Sequence, residues 1–454
     1  MSTITNGAGK VARSEAMAAG AVPAADTDPL TGVASRPFFL SKLEARLQNE
    51  AVPRCALILL GIDDFRAFND MHGHGEGDRI LQQMARRLRD ASPRDAVIGR
   101  TGGDEFAVLL PSIYDPTLVR HVSAAILSLL SEPYDCNGHR HYVLASLGAC
   151  VMPAGGDNAS DALASASLAL ARAKRDGGRT IRFFKAQMRA DVTSRLSLVQ
   201  ALREAYAQRQ FELLYQPQVD LRDGRIVGAE ALMRWRHPTQ GLLAPAAFID
   251  ALAASSVAVD VGMWLLQTAC AQARAWSLQF EQAPRVAINL FAAQLAESRL
   301  LTEVRHVLRE LALEPNRLEL EITETIALQQ GDEVSGQLQT LRRDGVTLTC
   351  DDFGTGYASL SFLKTFPVDR IKIDQSFIRN VTQDPVDAAI VRSVINVGSS
   401  LRIGVIAEGV ETVEQRDFLL ANGCHEVQGY LYGKPMPADQ LTDRLYEQQR
   451  LAKD

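Results

Sequence analysis

The sequence predicts an α/β chain in two parts: an N-terminal α+β domain, then a C-terminal (β/α)8 barrel of the TIM-like kind. Three observations lead there. Eight strand-like apolar runs alternate with helical stretches through the C-terminal half, the pattern of a closed barrel. The N-terminal half mixes helices with hairpin signals, as expected of helices beside a mostly antiparallel sheet. A chain of 454 residues, 46% apolar and 22% charged, is long enough for two or three domains with real cores.

The elements follow in order. Residues 1–25 are rich in Ala, Ser, Thr and Gly and read as a disordered tail, leaving no room there for a folded sensor domain. Residues 26–185 form the first domain. CALILLGI (55–62) is a buried-strand run, followed by a polar loop holding His72, Gly73, His74, Gly75 and Gly77. DRILQQMARRLRD (78–90) has helical spacing. AVIGR, a Thr-Gly-Gly turn and DEFAVLL make a β-hairpin. VLASLGACVM and TIRFF add strands on either side of an Ala-rich helix over 161–174. Residues 186–208 read as a linker helix, with Met188, Val192, Leu196, Leu198, Val199 and Leu202 at helical spacing.

The barrel occupies 209–454. Its strands are expected at 211–219, 225–235, 285–290, 317–323, 346–352, 370–374, 403–408 and 426–430, with helices over 258–278, 292–311 and 385–400 among those between. Asp223-Gly224 between the first two strands favours a hairpin over a crossover, so one strand should run antiparallel.

Composition narrows the function. A formal net charge of -6 argues against wholesale nucleic-acid binding. No apolar run approaches the roughly 20 residues of a spanning helix, and no signal-peptide pattern opens the chain. The six cysteines form no CxxC pair and mostly sit in apolar runs, which fits reduced thiols in a cytoplasmic protein.

Polar residues interrupt the barrel strands. They are Glu230 in the second, Asn289 ending the third, Glu321 in the fourth, and Asp351 with Asp352 in the fifth. Lys372 lies in the sixth, Glu408 ends the seventh, and Gln428 lies in the eighth. Strand C-terminal ends converge on one mouth in a barrel, where active sites are found. One acid at a strand end is usually a solvated terminus or a cap. Polar residues on seven strands of eight do not reduce to that. Five carboxylates together would repel without cations, and hard oxygen donors select magnesium or manganese. The adjacent pair Asp351-Asp352 suits two metals about 3.5–4 Å apart, the arrangement for in-line phosphodiester cleavage.

EALMR (230–234), NLF (289–291), EITE (321–324), DDFGTGYASL (351–360), IKID (371–374), AEGVE (407–411) and QGY (428–430) resemble the motifs of the EAL family of cyclic di-GMP phosphodiesterases. The resemblance covers about 195–450. It implies that Glu230, Asn289, Glu321, Asp351 and Asp352, with Glu408 nearby, hold two divalent cations that activate a water. Lys372 would orient or deprotonate that water, and Gln428 would hold a water or the metal shell. Arg234 would grip a substrate phosphate, with Gln216 also at the substrate. Glu324 and Glu411 would brace the loop 353–357. The implied product is linear pGpG. Phe291 departs from the serine common in the family, with a local packing effect expected.

DPLTG (28–32), NDMHGHGEGD (69–78), RTGGDEF (100–106) and AKRDGGR (173–179) resemble the GGDEF diguanylate cyclase family over about 26–185. The resemblance implies a guanine-reading pair in Asn69 and Asp78, phosphate contacts from Lys174 and Arg179, and a metal-binding carboxylate in Asp104, with Glu105 beside it at the nucleotide site. Arg66 stands where the family usually has Lys. The family's inhibitory RxxD site is missing, with Pro93 and Ala96 in its place. The second metal carboxylate should come from an Asp-x-Asp, but the chain reads Gly61-Ile62-Asp63. A register slip could recruit Asp63 or Asp64 only by turning side chains to the wrong face. The expectation is therefore a phosphodiesterase whose first domain binds GTP as an effector without cyclising it. A bifunctional cyclase/phosphodiesterase and a non-catalytic cyclic di-GMP receptor are the alternatives. Both families commonly work as dimers, so a homodimer is expected.

Overall fold

The computed structural model describes residues 26–49, 54–113, 115–153, 158–296, 299–324, 326, 332–354, 363 and 366–451. The expected tail at 1–25 lies outside them. The chain divides between Ser194 and Arg195 into two compact units. The boundary falls inside one helix, Ala186–Ala207, whose only buried residues are Leu202 and Ala205. The apolar spacing read across this helix thus overstates its buried face; Leu196 is exposed.

In the N-terminal unit, β1 (Cys55–Ile62), β2 (Val97–Gly102), β3 (Glu105–Leu110), β6 (Ala145–Met152) and β7 (Ile181–Phe183) form a five-stranded sheet in the order β2-β3-β1-β6-β7. Only β6 and β7 pair in parallel. All eight residues of β1 are buried, because β1 is central and covered on both faces. A small hairpin of β4 (Tyr134–Cys136) and β5 (His139–His141) turns on Asn137-Gly138, both with positive φ. Asn-Gly is a strong turn signal, and sequence reading passed over it.

The polar loop expected at 72–77 is also shorter than read. Helices Phe65–His72 and His74–Ala91 meet at Gly73 alone. A Cβ on Gly77 would lie 2.0 Å from Asn69 Oδ1 and 3.1 Å from the Phe65 ring, so glycine lets the two helices approach.

In the C-terminal unit, all eight expected strands are present: β8 (Phe211–Asp220), β9 (Ile226–His237), β11 (Arg285–Asn289), β12 (Leu318–Thr323), β13 (Thr347–Phe353), β14 (Arg370–Ile373), β15 (Gly404–Ala407) and β16 (Glu426–Gln428). They pair in the order β9-β11-β12-β13-β14-β15-β16-β8, and β8 pairs back to β9, so the sheet closes. β8 is antiparallel to both neighbours and the other ring strands pair in parallel. The Asp223-Gly224 turn causes this, as expected.

The full (β/α)8 alternation is met only in part. The first two strands make a hairpin with no helix between them, and a three-residue strand β10 (Gly241–Leu243) extends β9 outward. Helices Ala258–Gln279, Leu300–Glu310, Asp332–Arg343, Pro385–Leu401 and Val413–Ala421 lie between the later strands, and Ala438–Leu451 follows the last one. The single helix expected over 292–311 is two, Ala292–Ala296 and Leu300–Glu310. Phe291 packs in a cluster with Leu202, Phe211, Met233, Trp235 and Phe248, the expected packing role.

All six cysteines are buried and unpaired by disulfides. No described helix is long and apolar enough to cross a membrane.

Candidate active site: an acidic cluster around Lys372

The parallel strands of the closed sheet present their C-terminal ends together, and alternate residues of each strand face one side. Lys372 on β14 is only 1% exposed along its side chain. Its Nζ lies 2.5 Å from Glu408 Oε1, 2.9 Å from Glu321 Oε2, 3.2 Å from Asp351 Oδ1 and 3.4 Å from Glu230 Oε2. Four strands and the loop after β15 thus deliver charged groups to one point. Asn289 Nδ2 donates to Glu230 Oε1 at 2.9 Å and to Glu321 Oε2 at 3.2 Å. Gln428 Nε2 donates to Glu230 Oε2 at 2.6 Å and to Gln216 Oε1 at 3.0 Å.

This wiring splits the acids. Burial works to raise Glu230, yet Lys372 and hydrogen bonds from Gln428 and Asn289 hold it below the ordinary carboxylate range. Burial and the Glu230 charge push Glu321 well above that range, and Glu321 Oε1 is buried with no partner among the described residues. Burial pushes Glu408 up to about 8, against the pull of Lys372. Burial, then Asp351 and Asp374, push Asp352 up to about 6. Burial alone would discharge Lys372, but the surrounding carboxylates hold it well above its usual range, as a firm ammonium.

The donor set fits a divalent cation. Asp351, Asp352 and Glu408 each offer an oxygen within 4.8 Å of the other two. All are hard oxygen donors, and Glu321 carries a further unpartnered oxygen. Asp352 has φ 54°, a left-handed conformation that Asp tolerates and that re-aims its side chain relative to Asp351.

The remaining expected residues divide. Arg234, half-buried on β9, donates to its neighbour Met233 O and makes no ion pair among the described residues. Gln216 joins Gln428 and also donates to Gly433 O at 3.2 Å. Glu324 Oε2 accepts from Gly354 N at 3.2 Å, at the start of the loop it was expected to brace. Residues 355–362 lie outside the described set, and the exposed Glu411 shows no bracing contact among described residues.

Sequence reading missed Gln218, whose Nε2 donates to Gln428 Oε1 at 3.2 Å. It also missed a second ionic layer beneath the first. Glu319, Arg370 and Glu426 stand two residues before Glu321, Lys372 and Gln428, on the same faces. Arg370 Nη1 lies 2.6 Å from Glu319 Oε2, Arg285 Nε lies 2.8 Å from it, and both arginines also pair with Glu426. Thr349 Oγ1 donates to Glu319 Oε1 at 2.6 Å. The repeat at i−2 on several strands was the available signal.

In the N-terminal unit, Asn69 Oδ1 is buried without a partner among the described residues, beside Gly77 and one residue from the exposed Asp78. Asp104 and Glu105 sit at the β2–β3 turn. Glu105 is raised by burial and then by Asp104, and lowered by Lys174. Arg179 contributes its backbone N–H to Asp63 Oδ2 at 3.2 Å. The same Asp63 oxygen accepts from Ser146 Oγ at 3.0 Å, so that oxygen is committed to the sheet and the 178–179 turn.

Comparison with known proteins agrees with this division. The EAL domain profile matches residues 199–435, and the profile "Diguanylate cyclase, GGDEF domain" matches 25–180. The bifunctional diguanylate cyclase/cyclic di-GMP phosphodiesterase MucR of Pseudomonas aeruginosa is 37% identical over 91% of this chain and 61% of its own length. The cyclic di-GMP phosphodiesterase NbdA of the same organism is 37% identical over 92% of this chain and 54% of its own. The chain thus spans about half to three-fifths of these relatives. A solved structure of the PaMucR phosphodiesterase in complex with c-di-GMP is 42% identical, with a TM-score of 0.52 over 54% of this chain and 99% of that one. The chain belongs to the EAL family, with a GGDEF domain in tandem before its EAL domain.

Proposed function

We propose that this chain hydrolyses cyclic di-GMP to linear pGpG at the Lys372 cluster, with two magnesium or manganese ions. The observation that carries the reading is the convergence of Glu230, Glu321, Asp351 and Glu408 on one buried ammonium. A pocket that only bound the messenger would have no use for such a concentration of charge. The relatives named for this activity and the complex of PaMucR with c-di-GMP support the substrate.

Glu230, Asn289, Glu321, Asp351, Asp352 and Glu408 would hold the cations, which supply Lewis acidity and neutralise phosphate charge. Arg234 grips a non-bridging phosphate oxygen. Lys372 orients the attacking water and meets the charge that develops on the phosphoryl oxygens. The water oxygen joins phosphorus as one P–O3′ bond breaks, giving a 5′-phosphate and a free 3′-hydroxyl. Gln428, held by Gln216 and Gln218, keeps Glu230 in place.

The N-terminal unit is read as a guanine-nucleotide regulator without cyclase activity. The unpartnered Asn69 oxygen supports base recognition, since guanine's edge carries N–H donors. Gly61 removes one metal carboxylate. GTP titrated into a cyclic di-GMP hydrolysis assay should raise turnover, with Asn69→Ala abolishing the effect. Hydrolysis unchanged by GTP would remove the regulatory reading. Cyclic di-GMP made from GTP would replace it with the bifunctional one.

A further inference from the structure

The divalent-cation site that a GGDEF domain implies does not fit the residues of this N-terminal unit. Gly61, the next-to-last residue of β1, stands directly opposite Glu105 on β3 and Ser146 on β6. Directly opposed residues of an antiparallel pair share a face, with Cβ atoms about 5 Å apart. The missing side chain at 61 would therefore have stood beside Glu105. That space is taken. A Cβ on Gly61 would lie 3.0 Å from Lys174 Nζ and 3.3 Å from Lys174 Cε. Lys174 Nζ donates to Ile62 O at 3.2 Å. Its charge is among those acting on Glu105. The ammonium thus stands at the strand end, on a backbone carbonyl and near the acid that a metal would need.

Among the other acids, Asp104 stays at the β2–β3 turn, and Asp63 has one oxygen, Oδ1, without a partner among the described residues. Asp63 Oδ2 is bound by Ser146 Oγ and Arg179 N, which fixes the register and argues against a slip. Asp64 is exposed. A hard divalent cation wants six or more oxygens and must compete here with a lysine already in place.

We infer that the N-terminal unit binds a guanine nucleoside triphosphate without a divalent cation, the Lys174 ammonium serving as the resident positive charge. This rests on the reading that the pocket takes a guanine nucleotide. It goes further, because lost synthesis and kept binding then share one cause. An ammonium can neutralise phosphate oxygens, but it lacks the several coordination positions that align a nucleophile with a phosphorus atom.

The experiment is equilibrium binding of GTP to the full chain, in excess magnesium and in excess EDTA, with Asn69→Ala marking binding that belongs to this pocket. The wild-type dissociation constant should change less than threefold between the two conditions. Lys174→Met should weaken binding in EDTA at least tenfold. Gly61→Asp, whose new carboxylate needs only the flexible lysine end to give way, should make affinity fall at least tenfold on chelation. A wild-type loss above threefold in EDTA would overturn the inference and assign a cation to Glu105 and the unpartnered Oδ1 of Asp63. Absence of Asn69-dependent GTP binding in both conditions would overturn the nucleotide reading itself, and the inference with it.

Discussion

Replacing Lys372 by methionine keeps most of the buried stem and removes the charge. The four carboxylate contacts run from 2.5 to 3.4 Å. At an effective dielectric near 20 each is a gross attraction of about 5–7 kcal/mol. Burial and the mutual repulsion of the acids offset most of that sum. The net effect should be that of breaking a buried ion pair, a destabilisation of about 3–5 kcal/mol in metal-free protein. The loss must depend on pH. Without the ammonium, Glu321 and Glu408 rise further above their unfolded values and Glu230 loses the charge that holds it down, so the folded state binds more protons than the unfolded one. Stability then falls as pH rises through that window. Urea unfolding in EDTA at pH 5 and pH 8 should show a small deficit at pH 5 and the full one at pH 8, with magnesium restoring part of it. Turnover should drop at least 100-fold while the dissociation constant for cyclic di-GMP moves only a few-fold. An equal deficit at both pH values would mean that Lys372 acts through packing, and the electrostatic account would fail.

Arg234→Ala should weaken cyclic di-GMP binding about 10- to 100-fold, the loss of a charge-assisted contact of roughly 1.5–3 kcal/mol, measured by calorimetry with calcium in place of magnesium. Metal uptake should release protons, because Glu408 near 8 and Asp352 near 6 are partly protonated at pH 7 without a cation. Metal affinity should therefore rise from pH 6 to pH 8, and calorimetry in buffers of different ionisation enthalpy reads the protons directly. Glu319→Gln should cost about 3–5 kcal/mol in urea unfolding by leaving Arg370 and Arg285 under-neutralised, with Glu319→Asp recovering part of the loss.

The ring strands of the C-terminal unit were legible because buried parallel strands read as continuous apolar runs, and because the polar residues interrupting them fall near the ends that converge. Glu230, Asn289, Glu321, Asp351, Lys372, Glu408 and Gln428 were visible for that reason. The deeper layer was not. Glu319 and Arg370 look like ordinary charges near strand starts; their i−2 spacing from Glu321 and Lys372 is the one trace in the sequence, and the register between strands shows them paired inside the ring. The role of Lys372 was half legible, since sequence places the side chain but not the four carboxylates that fix its charge. In the N-terminal unit, Gly61 announced a missing ligand. That Lys174 occupies the place depends on where a helix brings its last turn, which local sequence does not specify.

Hydrolysis at the Lys372 cluster can be read directly. The most direct test is pGpG formation from cyclic di-GMP by the purified chain with magnesium or manganese, compared with Glu230→Ala. Glu230 touches Lys372, Asn289 and Gln428 at once, so its removal undoes the wiring of the whole site. The wild type should release pGpG in a metal-dependent way, and the variant none above background. Wild-type protein that binds cyclic di-GMP and leaves it intact with either metal would contradict the account and make the chain a receptor.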